Sequence, residues 1–222
     1  MVMTVEPAVV VDDESVRLTT TLSLGASLRF PLQSARSRRE VLIGAALLLI
    51  PVVGWLLNMG HRIQMVQQMQ RGEPAWPAWH SWGALLRHGV ITFVGMLYYH
   101  APASVCLGLG TAWGLPWLVV LGAVLWVGAT ALVPGYMTHY CRTGDVASIF
   151  NPWLSLRRVR EGGRAYWHAW LIASSALLLS FVGLLGFGVF FLVSSVWFWQ
   201  VAGFSFATVF SQRHALVDAP TD

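Results

Sequence analysis

A chain of 222 residues that is 56% hydrophobic and only 11% charged, with a mean hydropathy of +0.61, has too little polar surface to solvate a globule of its size. That composition excludes a soluble domain. The net charge of +4, carried by arginine with no lysine at all, suits the surface of an anionic bilayer, and no feature of the chain points to nucleic acid.

Residues 1–16 hold four acids (Glu6, Asp12, Asp13, Glu14), no base and no helical period, and read as a disordered acidic tail. The acidic start also lacks the basic n-region of a cleaved signal, so insertion is expected to be directed by internal apolar segments. Residues 17–213 read as a single membrane domain, followed by a short polar tail over 214–222. From Val16 to Gln33, Leu18, Leu22, Leu24, Leu28 and Phe30 alternate with Arg17 and Arg29 up to Pro31, which predicts an amphipathic segment lying on the headgroups.

The first apolar block, Val41–Met59, directly follows Arg36, Arg38 and Arg39. Its length is enough to cross a hydrocarbon core of about 30 Å at roughly 1.5 Å per residue. Pro51 sits in its middle, so the alternative is a helical hairpin broken at Ile50-Pro51-Val52-Val53-Gly54. Further on, no Asp, Glu, Lys or Arg lies between Arg87 and Arg142, a run long enough for two spans joined by the uncharged turn Gly108–Pro116. Tyr166–Ser211 is again free of charge and holds two more, with Gly183, Gly186 and Gly188 marking their turn.

Positive charge is retained on the cytoplasmic side. A straight first span would export Arg36, Arg38 and Arg39, whereas a re-entrant hairpin keeps the arginines on one face. The expected fold is therefore all-α: four transmembrane helices in two hairpins, plus an N-terminal re-entrant or fifth spanning segment, with interfacial amphipathic loops. The expected location is the bacterial inner membrane. A weak repeat relates Gly60…Arg71-Gly72-Glu73…Trp82…Arg87 to Gly135…Thr143-Gly144-Asp145…Trp153…Arg157, as structural halves often do.

Chemistry-bearing residues are sparse. None of the seven histidines pairs at metal-site spacing, and no acid lies inside the apolar blocks to relay a proton. Five of the seven fall in loops or at block edges, and His100 is deeper, beside Tyr99 and before Pro102; it could ligate a haem or chlorophyll-type centre, or bond to a backbone carbonyl freed by the proline. No cofactor is otherwise specified. Cys106 and Cys141 read as free thiols. No phosphate loop, nucleophile elbow or metalloprotease signature is present, so an enzyme is not expected.

Between the first two apolar blocks, Gly60–Gly89 carries Trp76, Trp79 and Trp82 at a constant step of three, punctuated by Pro74 and Pro77. They are expected along one side of a short helix in a surface-lying loop, either as an aromatic belt or as a docking edge for a partner or another segment of the chain. The Ile50-Pro51 break, the loop glycine, a basic helix, Gly72-Glu73, and Pro77-x-Trp79-x-x-Trp82-Gly83-x-Leu85-x-x-x-Gly89 resemble the membrane-protein family called domain of unknown function 4013. The resemblance extends over about residues 24–213, strongest at Leu42–Gly89 and again at Phe150–Arg158. It implies a multi-spanning membrane protein without an assigned activity. The chain departs from the family pattern at His61, where tyrosine is common, and at His80-Ser81, where acids are common.

Trp and Arg dominate binding hot spots, which makes Trp76, Trp79, Trp82, Arg87, Trp153, Arg157 and Arg158 the candidate interface residues. The first functional reading is thus a non-enzymatic structural or assembly subunit, with a membrane-protein partner or a second copy. A transporter or channel-like carrier would need polar groups facing a pathway between the helices, and the spans offer only His100, serines and prolines. A bilayer-shaping hairpin protein is the third reading.

Overall fold

A computed structural model describes residues 22–217 except Phe187, with side chains as far as Ser211. The acidic tail over 1–16 and the residues after 217 lie outside them. Among the described residues all regular structure is helical: α1 Leu24–Arg29, α2 Ala35–Leu47, α3 Val53–Gln70, α4 Trp82–Ala112, α5 Pro116–Thr143, α6 Pro152–Phe181 and α7 Val189–Val217, with short 3-10 turns at Phe30–Leu32, Ala147–Phe150 and Val182–Leu185. Four segments are long and apolar enough to cross a membrane: Trp82–Ala112, Pro116–Thr143, Pro152–Leu185 and Val189–Ser211. The chain is an all-α membrane protein.

Local chemistry sets the boundaries. Ser34 and Ser37 cap α2 reciprocally, each hydroxyl accepting the other's backbone N–H. Asn151 caps α6, with Pro152 at its first position, and Pro116 opens α5 in the same way. Gly144, at φ 69°, ends α5. Inside α6, Gly163 has φ 52° and ψ −134°, which bends the helix between its arginine-rich first arm and its apolar second arm.

The block Val41–Met59 is not one straight helix. The chain reverses between α2 and α3 through a γ-turn: Val52 has φ 64° and ψ −63°, and Val53 N–H donates to the Pro51 carbonyl at 2.7 Å. The two arms run antiparallel, tied by Asn58 Nδ2, which donates to the Gly44 carbonyl at 3.1 Å. Their shared tip is apolar and uncovered, with Leu49 71% and Val52 66% exposed. The break expected at Ile50–Gly54 is therefore where the chain turns.

α3 and α4 pack at backbone distance. A Cβ on Gly60 would fall 1.8 Å from the Leu85 carbonyl oxygen, and one on Gly89 would fall 2.0 Å from that of Leu56. Only glycine fits at either position, and the pair holds α3 against α4. α4–α5 and α6–α7 then form the two long hairpins, turning at Trp113–Leu115 and, in the second, after Leu185, where Gly186 and Gly188 stand, as the uncharged runs predict.

Two expectations are corrected. Residues 71–81 contain no helix, because Pro74 and Pro77 interrupt the hydrogen-bond ladder, so the three tryptophans do not line a helix face. They are also not uniformly at the surface: Trp76 is 2% exposed. Phe30, expected among headgroup-facing residues, is buried and stacks on Phe204 at 4.4 Å and packs against Trp76 at 5.4 Å. The extended loop presents the Trp76 and Trp79 rings to His61 of α3.

Candidate functional site

The tryptophan stretch folds back onto its own chain. Glu40, near the start of α2 apart from its first turn, is 4% exposed; its carboxylate accepts from His61 Nε2 at 2.9 Å and from the Ala78 N–H at 3.1 Å. Its backbone carbonyl accepts from Trp79 Nε1 at 3.0 Å. The His61 ring stacks on Trp79 at 4.0 Å and lies parallel to Trp76 at 5.9 Å, and Trp79 stacks in turn on Trp82 at 5.8 Å. One carboxylate thus ties α2, α3 and the 71–81 segment together. Glu40 carried no signal in sequence and His61 only its departure from the family pattern, and nothing paired the two across 21 residues.

Of the remaining candidates Trp82 ends the stack and the others stand elsewhere. Arg87 is exposed, Trp82 is 50% exposed, and Trp153 is 78% exposed at the start of α6. Arg157 and Arg158 both donate to Glu161, at 2.9 and 3.0 Å, and Arg158 also donates to His139 Nδ1 at 2.9 Å. No hydrogen bond or ring contact among the described residues joins Trp153, Arg157 or Arg158 to the tryptophan stack. His100 donates from Nδ1 to the Met96 carbonyl at 2.8 Å, and its Nε2 lies 3.1 Å from Thr130 Oγ1, so both ring nitrogens are occupied. The carbonyl it meets is that of Met96, not that of Tyr98, which is the one Pro102 leaves without a helical donor. Among the described residues no cluster of three metal-ligating side chains exists.

The site with the means to bind something is a groove that sequence reading did not identify. It has a volume of about 410 Å³ and is enclosed by α3, α4, α5, α6 and α7. That volume lies within the ordinary range for ligand pockets. Its α5 wall runs from Trp126 to Cys141, roughly 20 Å at 1.5 Å per residue. The surface is nearly all apolar, from residues such as Val133, Met137, Trp170 and Phe206. One end is closed, Met137 being 6% exposed; at the other, Trp126 and Leu177 are 44% and 39% exposed and the groove opens sideways between α5 and α6.

Arg62 of α3 stands at the closed end and is 8% exposed. It is the one Asp, Glu, Lys or Arg that lines the groove among the described residues. Its guanidinium donates from Nη2 to Met137 Sδ at 3.0 Å, and lies 4.6 Å from the centre of the Trp199 ring. A thioether is a weak acceptor, and the ring offers a cation–π contact but no counter-charge. Guanidinium stays protonated in proteins, so this is a buried positive charge without a carboxylate partner among the described residues. Beyond Thr138, which lines both, a polar cleft of about 250 Å³ is bordered by Gln70, His139, Arg142 and Arg158.

A signal for Arg62 existed in the sequence. Met59, Met65, Val66 and Met69 share its face of α3 at three- and four-residue spacing, which sets the arginine inside an apolar stripe.

Against known proteins, a family model described as "Protein of unknown function (DUF4013)" matches residues 43–199, more than half of the chain. Neither the curated proteins nor the solved structures contain a match.

Proposed function

The chain belongs to that DUF4013 family, and from this premise we propose that it is a non-enzymatic ligand-binding protein of the bacterial inner membrane, which holds or carries an elongated apolar molecule between its helices. One observation carries the reading: the groove of about 410 Å³, closed at Met137 and open to the side at Trp126 and Leu177. A carrier needs a polar group facing a path between the spans. The apolar runs supply little, but Arg62 reaches the groove from α3, outside the four long helices.

The test is photolabelling of the purified protein with an uncharged alkyl diazirine, followed by mass spectrometry. Adducts concentrated on groove residues such as Met137 and Leu177, and reduced by Leu177→Trp at the mouth, support the reading. Adducts spread evenly over the outward residues Val124 and Val127, which are 64% and 70% exposed, sink it.

A second reading, a structural or assembly subunit of a larger membrane complex or a homo-oligomer, draws on the exposed Trp153 and on Arg157, whose side chain is 76% exposed. Trp76 and Trp79, in contrast, are engaged within the chain. Under this reading Trp153→Ala with Arg157→Ala lowers the mass of the particle purified in mild detergent. An unchanged mass, monomeric in both, counts against it.

A further inference from the structure

We infer that the groove takes an anionic amphiphile, an alkyl chain carrying one carboxylate or phosphate head, and that Arg62 is the residue that receives the head. The inference rests on the groove being a ligand site and adds the ligand's chemical class.

Three features meet here. First, a buried guanidinium whose neighbours are a thioether and an indole face leaves its charge uncompensated, and burying a charge is costly unless it is paired and hydrogen-bonded. An anionic head group supplies both the counter-charge and acceptors in the planar arrangement that guanidinium prefers. Second, the rest of the surface can solvate only an alkyl chain. His100 and Thr130 are bonded to each other and Thr138 Oγ1 donates to the Pro134 carbonyl, so these groups are already engaged, and the unpaired indole N–H of Trp170 is a neutral donor that brings no charge. Third, the polarity is that of a lipid leaflet. Arg62 lies at the Cys141 end of α5, next to the charged segments, with its guanidinium on Met137, and the open mouth at Trp126 lies about 16 Å away towards the apolar middle of α5. One leaflet's hydrocarbon is about 15 Å thick, half of a core of about 30 Å. A single chain therefore fits with its head on Arg62 and its tail reaching the mouth.

The experiment uses the full chain in nanodiscs of phosphatidylcholine, at a pH where carboxylates are ionised. Binding of palmitate, hexadecanol and hexadecyl phosphate is compared by displacement of a fluorescent alkyl probe. Hydrogen bonds to a charged group contribute about 1.5–3 kcal/mol, so the two anions are expected to bind at least roughly tenfold more tightly than the alcohol. Arg62→Met is expected to abolish that difference while hexadecanol still binds, and Arg62→Lys to keep part of it.

Equal binding of acid and alcohol by the wild type overturns the inference and leaves the groove reading standing. Binding of none of the three overturns both. The wild-type comparison decides the matter even if Arg62→Met does not fold. Acetate and inorganic phosphate are run alongside: if they displace the probe as well as the long-chain anions do, Arg62 serves a simple anion and the amphiphile is wrong. Phosphatidylglycerol in the disc distinguishes the source. Displacement of palmitate by it makes the ligand a bilayer lipid, and persistence of palmitate makes it a free single-chain amphiphile; either agrees with the inferred chemistry.

Discussion

Glu40 joins three separate segments, α2, α3 and the loop 71–81. It is buried and accepts from His61 and from the Ala78 N–H, while its backbone takes the Trp79 indole N–H. Glu40→Ala orphans two buried donors, each worth about 1–3 kcal/mol, so the thermal unfolding midpoint in detergent should fall steeply. Glu40→Gln retains one acceptor oxygen and should fall less. Trp79→Phe keeps the stack on His61 and loses one hydrogen bond, a cost of about 1 kcal/mol; a tryptophan that only anchored lipid would lose almost nothing. Tryptophan fluorescence across a melt separates these outcomes.

His61 adds a pH dependence. Burial holds its imidazole below the ordinary value of 6.5, and the neighbouring Glu40 carboxylate offsets only part of that. Between the lowered value and 6.5 the unfolded chain takes up a proton that the folded one does not, so stability is complete above about 6.5 and falls as the pH drops below it. In His61→Gln, which still donates to Glu40, the melting midpoint should vary less over the same range. An identical slope in both proteins would mean that His61 is not buried neutral.

At the scale of elements, the α2–α3 hairpin shows how a short break redirects a long apolar block. Pro51 removes a helical donor, and the chain then turns within one residue at Val52, whose positive φ is unfavourable for a β-branched side chain by about 1–3 kcal/mol. Val52→Gly should therefore raise the unfolding midpoint, since glycine adopts that φ freely; a lower midpoint would argue that the turn has another geometry. The weak sequence repeat also has a structural counterpart. Gly72 and Gly144 both take positive φ, 72° and 69°, just past α3 and α5. Gly60 and Gly135 each face a carbonyl in the opening turns of the following helix, that of Leu85 and that of Ser155. α3–α4 and α5–α6 thus reuse one helix–turn–helix plan with different loops.

For the molecule as a whole, the antiparallel order of the helices sends the loop 71–81, Gly144-Asp145 and the end of α7 to one end of the bundle, while Ile149 and Phe150 fold back beside Gly95 and Tyr98 of α4. The hairpin brings the start of α2 there too, since Glu40 meets Ala78. In a variant without Cys106 and Cys141, single cysteines at Arg39, Gly72 and Asp145 should react with a membrane-impermeant maleimide from one side of the membrane. Cysteines at Trp113 and Leu185, which are 67% and 86% exposed, should react from the other. Arg39→Cys grouping with Trp113→Cys would mean that the first block crosses the bilayer. Native Cys141 is a poor reporter, because it is 4% exposed and bonded to the Ile63 carbonyl.

Much of this architecture was legible without coordinates, because a bilayer imposes its constraints along the chain. The charge-free runs Arg87–Arg142 and Tyr166–Ser211, the glycine turn at Gly183–Gly188 and the proline break at Pro51 are local signals, and the helices form where they say. The family pattern around Trp79 and Trp82 was readable for the same reason. What those residues touch was not. A step of three between tryptophans describes a helix face as well as an extended loop, and only the packing of that loop against α2 and α3 buries Trp76 and pairs Glu40 with His61. Arg62 is the sharpest case: the sequence sets a charge in an apolar stripe, but whether it meets a carboxylate or a cavity depends on which helices surround it. Contacts between α3, α5 and α7 are long-range, so the groove belongs to the tertiary structure alone.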